Sequence, residues 1–383
     1  MSIRSSPDNP QRTTSPVVLD AGLASYEFVR SLGQGHHGEL VLTRQRYRQG
    51  TGGYTVLKRL NRVVRQEDYQ RLVEEARLGG RLRHPNIVSV QLLAGTPAEP
   101  LLLMDYCEGP ALGDLVRQAA KSGRSFSEAF CCHVTSEVAE ALHYAHSLLN
   151  DDGESLGVVH RDVTPQSILL GQHGEVKLID FGAAWSRLEG RISTEGDSDI
   201  GDLAYSSPER AMMELLDGRA DLFSLGLVFL QLLTGRHLLD ATERHEAELL
   251  GRQLRTRGDA GASRLSTMEE LGPTRTGELM KRLRQLEARE VEAATGSLPE
   301  GLRPILHRML ARRREDRYAT GAEVAQALRD YQWRAGHRFG RAELVAEVAA
   351  LRAAALGDLE DSSRSKRGRG SSRGRRGGPG REP

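Results

Sequence analysis

Two short motifs constrain this chain more than any other feature. His160-Arg161-Asp162 follows one short apolar strand, and Asp180-Phe181-Gly182 follows another, Val176 to Ile179, with the two aspartates eighteen residues apart. Isolated aspartates at strand ends are more often turn formers than reactive groups. These two stand in an order that narrows the reading, because a glycine cluster, a lysine after an apolar run and a helix glutamate precede them.

The pattern around these motifs divides the chain. From Tyr26 to about Leu60 it is strand-like and broken by glycines, which predicts two or three hairpin-connected strands. Tyr69, Leu72, Val73 and Ala76 recur at helical spacing between Gln66 and Leu82, and His84-Pro85-Asn86 stops that helix before a strand from Ile87 to Leu93. Leu101 to Met104 makes another strand. From Gly113 onward helices dominate: Glu128 to Ser147 is amphipathic, Asp221 to Thr234 is apolar almost all round, and Leu279, Leu283 and Leu286 share a face of a charged helix. The expected class is α+β, a small strand-rich N-terminal lobe followed by a larger helical one.

Gly33-Gln34-Gly35-His36-His37-Gly38 lies between two predicted strands, where missing side chains let backbone N–H groups approach phosphate oxygens. An ordinary glycine-rich hairpin looks the same. A dinucleotide-binding turn requires a helix directly afterwards, and the next residues read as a strand. Lys58 ends the apolar run Val56-Leu57, and Glu75, seventeen residues on, borders the apolar face of its helix, so the two are placed to form an ion pair that holds the ammonium against phosphates. A solvated lysine and a solvated helix glutamate are the plain alternatives. Asp162 is placed to accept or orient the proton of an attacking hydroxyl, and Asp180 to chelate a magnesium ion bridging ATP phosphates.

With these motifs in this order, the chain resembles the eukaryotic-type (Hanks-type) protein kinase family over roughly Tyr26 to Tyr331, and the wording of its catalytic loop looks like bacterial members. The resemblance implies a two-lobed protein kinase fold, with a small antiparallel β-rich N-lobe and a larger α-helical C-lobe. It implies a kinase domain over residues 26–335, flanked by a disordered segment at 1–25, a helical extension at 336–357 and a basic disordered tail at 358–383. Residue by residue, Gly33, Gly35 and Gly38 match the nucleotide loop, Lys58 the phosphate-binding lysine and Glu75 its helix partner. Met104 matches the gatekeeper, and Asp105 and Cys107 match the backbone contacts to adenine. Asp162 matches the catalytic base and Asp180 the metal ligand. His160, Phe181 and Gly182 are structural, Glu209 matches the partner of the late arginine Arg317, and Asp221 matches the aspartate that caps the central helix and braces the catalytic loop. Arg161 matches the residue that links catalysis to a phosphorylated activation segment, where Ser193, Thr194 and Ser198 are the candidate acceptors. The implied cofactors are ATP and Mg2+, with Mn2+ as a substitute. The implied reaction is transfer of the γ-phosphate to protein hydroxyls, and Val163-Thr164-Pro165 lacks the arginine and alanine typical of tyrosine kinases.

Three positions depart from the family pattern. Ser167 stands where an asparagine usually binds a second magnesium, Thr164 where a lysine usually stabilises the moving phosphoryl group, and Asp202 where some bacterial relatives carry a compensating lysine. Loss of one stabilising donor costs roughly 10²- to 10³-fold in rate. Two functions therefore stay open: an active serine/threonine kinase regulated through its activation segment, and a weakly active or inactive pseudokinase serving as an ATP-binding scaffold.

Composition adds limits. Lysine plus arginine (53) nearly cancels aspartate plus glutamate (52), so charge specialisation has to be local. Arg364, Lys366, Arg367, Arg369, Arg373, Arg375, Arg376 and Arg381 make the tail basic, which suits weak polyanion contact. Three cysteines give neither a disulfide framework nor a metal spacing, and the Ser/Pro/Thr-rich start lacks a signal-peptide core. The longest apolar run, near Leu222 to Leu233, falls short of the ~20 residues that cross a bilayer, so a cytoplasmic location is expected. The protein substrate and the oligomeric state are not encoded in any motif.

Overall fold

The structure, a computed structural model, describes residues 16–35, 38–60, 66–96, 99–188, 203–239 and 281–354. The chain divides into two compact units, Met1–Arg83 with Val88–Tyr106, and His84–Ile87 with Cys107–Pro383.

The first unit is built on one antiparallel six-stranded sheet. Its strands are β1 (Val17–Asp20), β2 (Ala24–Gly35), β3 (Gly38–Tyr47), β4 (Gly50–Arg59), β5 (Val90–Thr96) and β6 (Glu99–Asp105), in the order β1-β2-β3-β4-β6-β5. Alternation sends Leu19, Tyr26, Val41, Leu57, Leu101 and Leu103 into one buried cluster. The helix α1 (Gln66–Arg81) packs on β5 and β6 and buries Leu72 and Leu78, and Leu82 just beyond its end is buried too.

Two expectations differ from the structure. Residues 17–20 are not part of a disordered start, because β1 pairs with β2 and its Leu19 completes the core cluster. The strand expected from Ile87 begins at Val90, and Ile87 makes only an isolated bridge to Leu178. The helix expected between Gln66 and Leu82 is α1, which runs through Gly79 and Gly80 to Arg81.

The second unit is helical. It contains α2 (Leu112–Ser122), α3 (Glu128–His146), α4 (Pro208–Ala211) and α5 (Gly218–Thr234), followed by helices at Ala288–Thr295, Arg303–Met309, Gly321–Arg334 and 341–354. Ser127 starts α3 by accepting the N–H of Phe130, and Gly235, at φ 68°, ends α5 in the left-handed conformation that glycine adopts without strain. The helix α5 is buried almost all round, as its unbroken apolar sequence requires, and α3 packs against both it and Gly321–Arg334. A two-stranded sheet, β7 (Ile168–Leu170) with β8 (Val176–Leu178), separates the two aspartate motifs. The strand expected before His160 is only a bridge between Val159 and Trp185. Leu283 and Leu286 are both buried, Leu286 lies beyond the helical stretch 281–285, and Leu279 lies outside the described residues.

The 341–354 helix falls within the expected extension, with Leu344, Val348 and Leu351 buried. The expected tail 358–383, the acceptors Ser193, Thr194 and Ser198, and Asp202, His36 and His37 lie outside the described residues. Among the described residues, no helix is long and apolar enough to cross a membrane.

Candidate active site

In the first unit, β2 and β3 pair from Ala24↔Tyr47 to Gly35↔Gly38, so the glycine motif closes a hairpin and no helix follows it. Gly38 is required for a local reason as well. At φ +155° a side chain is strained, and a Cβ there would lie 2.1 Å from the Arg59 carbonyl oxygen. Gly33, at φ +140°, has open space around it.

Lys58 comes from the inward register of β4 and Glu75 from the buried face of α1. The Lys58 ammonium donates to both Glu75 carboxylate oxygens, at 3.0 and 2.8 Å, and both residues are buried. A buried ion pair is costly to desolvate and survives only with good geometry, so the fold maintains this cation at an expense that packing alone does not require. Met104 pairs with Val56 on one side and Val90 on the other. The Asp105 N–H is given to the Ser89 carbonyl at 3.0 Å. Any adenine contact from Asp105 therefore falls to its carbonyl oxygen.

In the second unit, one imidazole ties the two aspartate motifs together. His160 is fully buried. Its Nδ1 accepts the Asp162 N–H at 3.2 Å, and its Nε2 stands 3.1 Å from the carbonyl oxygen of Ile179, which precedes Asp180. Accepting at Nδ1 places the ring proton on Nε2, so the ring bridges both motifs in one tautomer. Phe181 packs edge-on against it with centroids 4.5 Å apart. The Ile179 N–H also reaches the Ser167 carbonyl at 2.9 Å, which joins the catalytic loop to the strand leading into Asp180.

Asp221 supplies the second anchor. Its carboxylate accepts the His160 N–H at 2.7 Å and the Arg161 N–H at 2.9 Å. Burial acts to raise its pKa, and the His146 hydrogen bond together with the charges and amide around it outweighs that effect, so the carboxyl is held below the usual range. Two successive amides on one carboxylate force a tight turn, and Arg161 takes it at φ 67°. Asp180 is also left-handed, at φ 64°, and its Oδ1 accepts the Gly182 N–H at 3.4 Å. Non-glycine residues in this region are strained and persist only where their surroundings fix them. Asp221 does not cap α5, as the resemblance implied. Asp217 does, accepting the Arg219 N–H, and Asp221 lies in the first turn.

Ser167 and Thr164 are tied to each other. Its hydroxyl donates to the Thr164 carbonyl at 2.9 Å and accepts the Thr164 N–H at 3.0 Å, while the Thr164 hydroxyl accepts the Ser167 N–H at 3.3 Å. Both residues are buried. The pair forms a capping box around Pro165–Ser167, so the Ser167 hydroxyl proton and one of its lone pairs are spent on closing the loop.

Sequence reasoning overlooked His146 and Arg210. His146 Nε2 lies 2.8 Å from Asp221 Oδ2, and Arg210 donates to the Arg161 carbonyl. A lone histidine at a helix end and a charged residue after Glu209 carry no local signal of these roles. Farther from the loop, Glu209 and Arg317 form a bidentate pair at 2.7 and 2.8 Å. Cys107 is half-buried, and burial pushes its thiol pKa upward.

Comparison with known proteins adds four findings. A family model described as "Protein kinase domain" matches residues 26–333. The chain is 30% identical over 333 residues to "Tyrosine-protein kinase MasK" of Myxococcus xanthus, covering 84% of this chain and 46% of that protein. It is 34% identical over 237 residues to "Serine/threonine-protein kinase Pkn1" of Myxococcus xanthus, covering 60% of this chain and 32% of that protein. The chain thus spans less than half the length of either relative. The crystal structure of the Mycobacterium tuberculosis PknI kinase domain aligns with a TM-score of 0.50 at 23% identity, over 81% of this chain and 96% of that one, a likeness of fold alone.

Proposed function

Because the chain belongs to the protein kinase family, we propose that it transfers the γ-phosphate of ATP to serine or threonine hydroxyls of a protein. The observation that carries this reading is the buried Lys58–Glu75 pair, which keeps a cation poised for phosphate oxygens. Mg-ATP supplies the phosphoryl donor and a metal that neutralises its charge. Lys58 and the Gly33, Gly35 and Gly38 backbone would orient the phosphates, and Met104, Asp105 and Cys107 would receive adenine. Asp180 would hold the metal, and Asp162 would orient the acceptor hydroxyl and take its proton. His160 and Asp221 would keep the backbone beneath both aspartates fixed.

A second reading, a weakly active or inactive kinase-like scaffold, is favoured by one observation. The capping box uses Thr164 and Ser167 for loop closure, so the second-metal donor and the phosphoryl-stabilising cation of the family pattern are not replaced at these two positions. The serine/threonine assignment rests on Val163-Thr164-Pro165 and on likeness to Pkn1. Likeness to MasK favours tyrosine. Regulation through Ser193, Thr194 or Ser198 and Arg161, use of Mn2+, polyanion contact by the tail and a cytoplasmic site of action belong to the same proposal. The test is incubation with labelled ATP and Mg2+ or Mn2+, followed by phosphoamino-acid analysis. Phosphoserine or phosphothreonine supports the proposal, and phosphotyrosine alone would replace its acceptor class. ATP binding without transfer would establish the scaffold.

A further inference from the structure

Gly79 and Gly80 sit inside α1, where glycine is less favourable than alanine. Neither a helix end nor a capping turn accounts for Gly79. It lies on the buried face, one turn after Glu75 and two after Leu72, both buried. A Cβ built on Gly79 would stand 2.3 Å from Val90 Cγ2 and 2.8 Å from Val90 Cβ, and the next atom, at 3.7 Å, is again Val90 Cγ1. Val90 thus occupies the space that any other residue at 79 would fill. Gly80 faces open space.

We propose that Gly79 is a positioning residue for the Lys58–Glu75 pair: its missing side chain lets Val90 enter α1 and sets the depth at which the helix carries Glu75 to Lys58. Val90 cannot give way easily. It is β-branched and stiff about χ1, and its backbone is anchored by pairing with Met104 in β6. A side chain at 79 therefore has to move the helix. Restoring an ordinary carbon–carbon contact of about 3.5–4.0 Å needs a shift of more than an ångström. An ammonium–carboxylate bond of 2.8 Å, lengthened by that amount, passes beyond hydrogen-bond reach.

The catalytic consequence rests on the proposed use of Lys58 for ATP, whereas the geometric one does not. The test compares the full chain with Gly79→Ala, Val90→Gly, the double variant and Gly80→Ala. Labelling of Lys58 by an amine-directed reagent, read by peptide mass spectrometry without nucleotide, reports the ion pair. KM for ATP and kcat report its use. Gly79→Ala is expected to speed Lys58 labelling and raise KM for ATP, each by roughly tenfold or more, as loss of a charge-assisted bond implies. Gly80→Ala is expected to change neither. In the Val90→Gly background, where the clashing atoms are gone, Gly79→Ala is expected to add nothing. Unchanged Lys58 labelling in Gly79→Ala overturns the proposal, and so does an equal increase with Val90 removed. If the wild-type chain transfers no phosphate, the kinase reading fails while the labelling arm still decides the role of Gly79.

Discussion

Replacing Glu209 with alanine is the perturbation whose cost the structure sets most sharply. The Arg317 side chain is fully buried, and all five of its N–H donors are spent. Nε donates to the Ala311 carbonyl, Nη1 to Glu209 and the Arg219 carbonyl, and Nη2 to Glu209 and the Arg312 carbonyl. The guanidinium also lies 4.8 Å from the centre of the Phe223 ring. Removing the carboxylate strands a charge and two donors in a dry interior, for an expected loss of roughly 3–5 kcal/mol. At about 2–4 °C per kcal/mol for a unit of this size, the melting temperature falls by roughly 6–20 °C. Both tryptophans, Trp185 and Trp333, belong to the second unit, so their emission in urea follows the unit that contains the pair. The exposed Arg289–Glu287 pair, at 2.9 Å, is the internal contrast, and Arg289→Ala is expected to change stability by less than about 1 kcal/mol. A Glu209→Ala loss no larger than that of Arg289→Ala, at an unchanged m-value, refutes the reasoning.

Other substitutions test neighbouring steps. Ser167→Ala removes half of the capping box and is expected to cost about 1 kcal/mol in a urea titration. Asp221→Asn presents an amide group to the two N–H groups it now accepts from, leaving one buried donor unmet. A stability loss of roughly 1–3 kcal/mol, with kcat falling more than KM rises, is expected, and an unchanged kcat contradicts the brace. Burial pushes His237 down to about 4 from its usual 6.5. Its ring stays neutral in the folded state while the unfolded chain gains a proton below about 6.5. Stability therefore falls as pH drops from about 6.5 to about 4, by roughly 3 kcal/mol across the window, and His237→Gln is expected to flatten that slope in urea midpoints taken at several pH values.

What the sequence revealed depended on how local the determining contacts are. The strands β2 to β4 were legible because alternation and glycine breaks are short-range signals, and Lys58 with Glu75 because a strand end and a helix face fix their spacing. Val17–Asp20 was not, since four residues in a Ser- and Pro-rich stretch show no period until Leu19 meets its core. Val158 and Val159 read as a strand because they are apolar, yet only Val159 finds a partner, at Trp185. The Thr164-Pro165-Gln166-Ser167 run did carry a local signal, a hydroxyl residue three positions before another with proline between. His146 and the notch at Gly79 were beyond sequence reasoning, as each depends on a residue brought close only by folding, Asp221 in one case and Val90 in the other.

The most direct test of the proposed activity is the initial rate of phosphate transfer from ATP to a generic basic protein by the full chain, with Asp162→Ala and Asp180→Ala measured in parallel at equal folded concentration. The expected result is transfer by the wild-type chain that falls at least 10²-fold in each variant, with ATP binding retained by Asp162→Ala. Transfer that persists undiminished in both variants would contradict the assignment of these two carboxylates to the reaction.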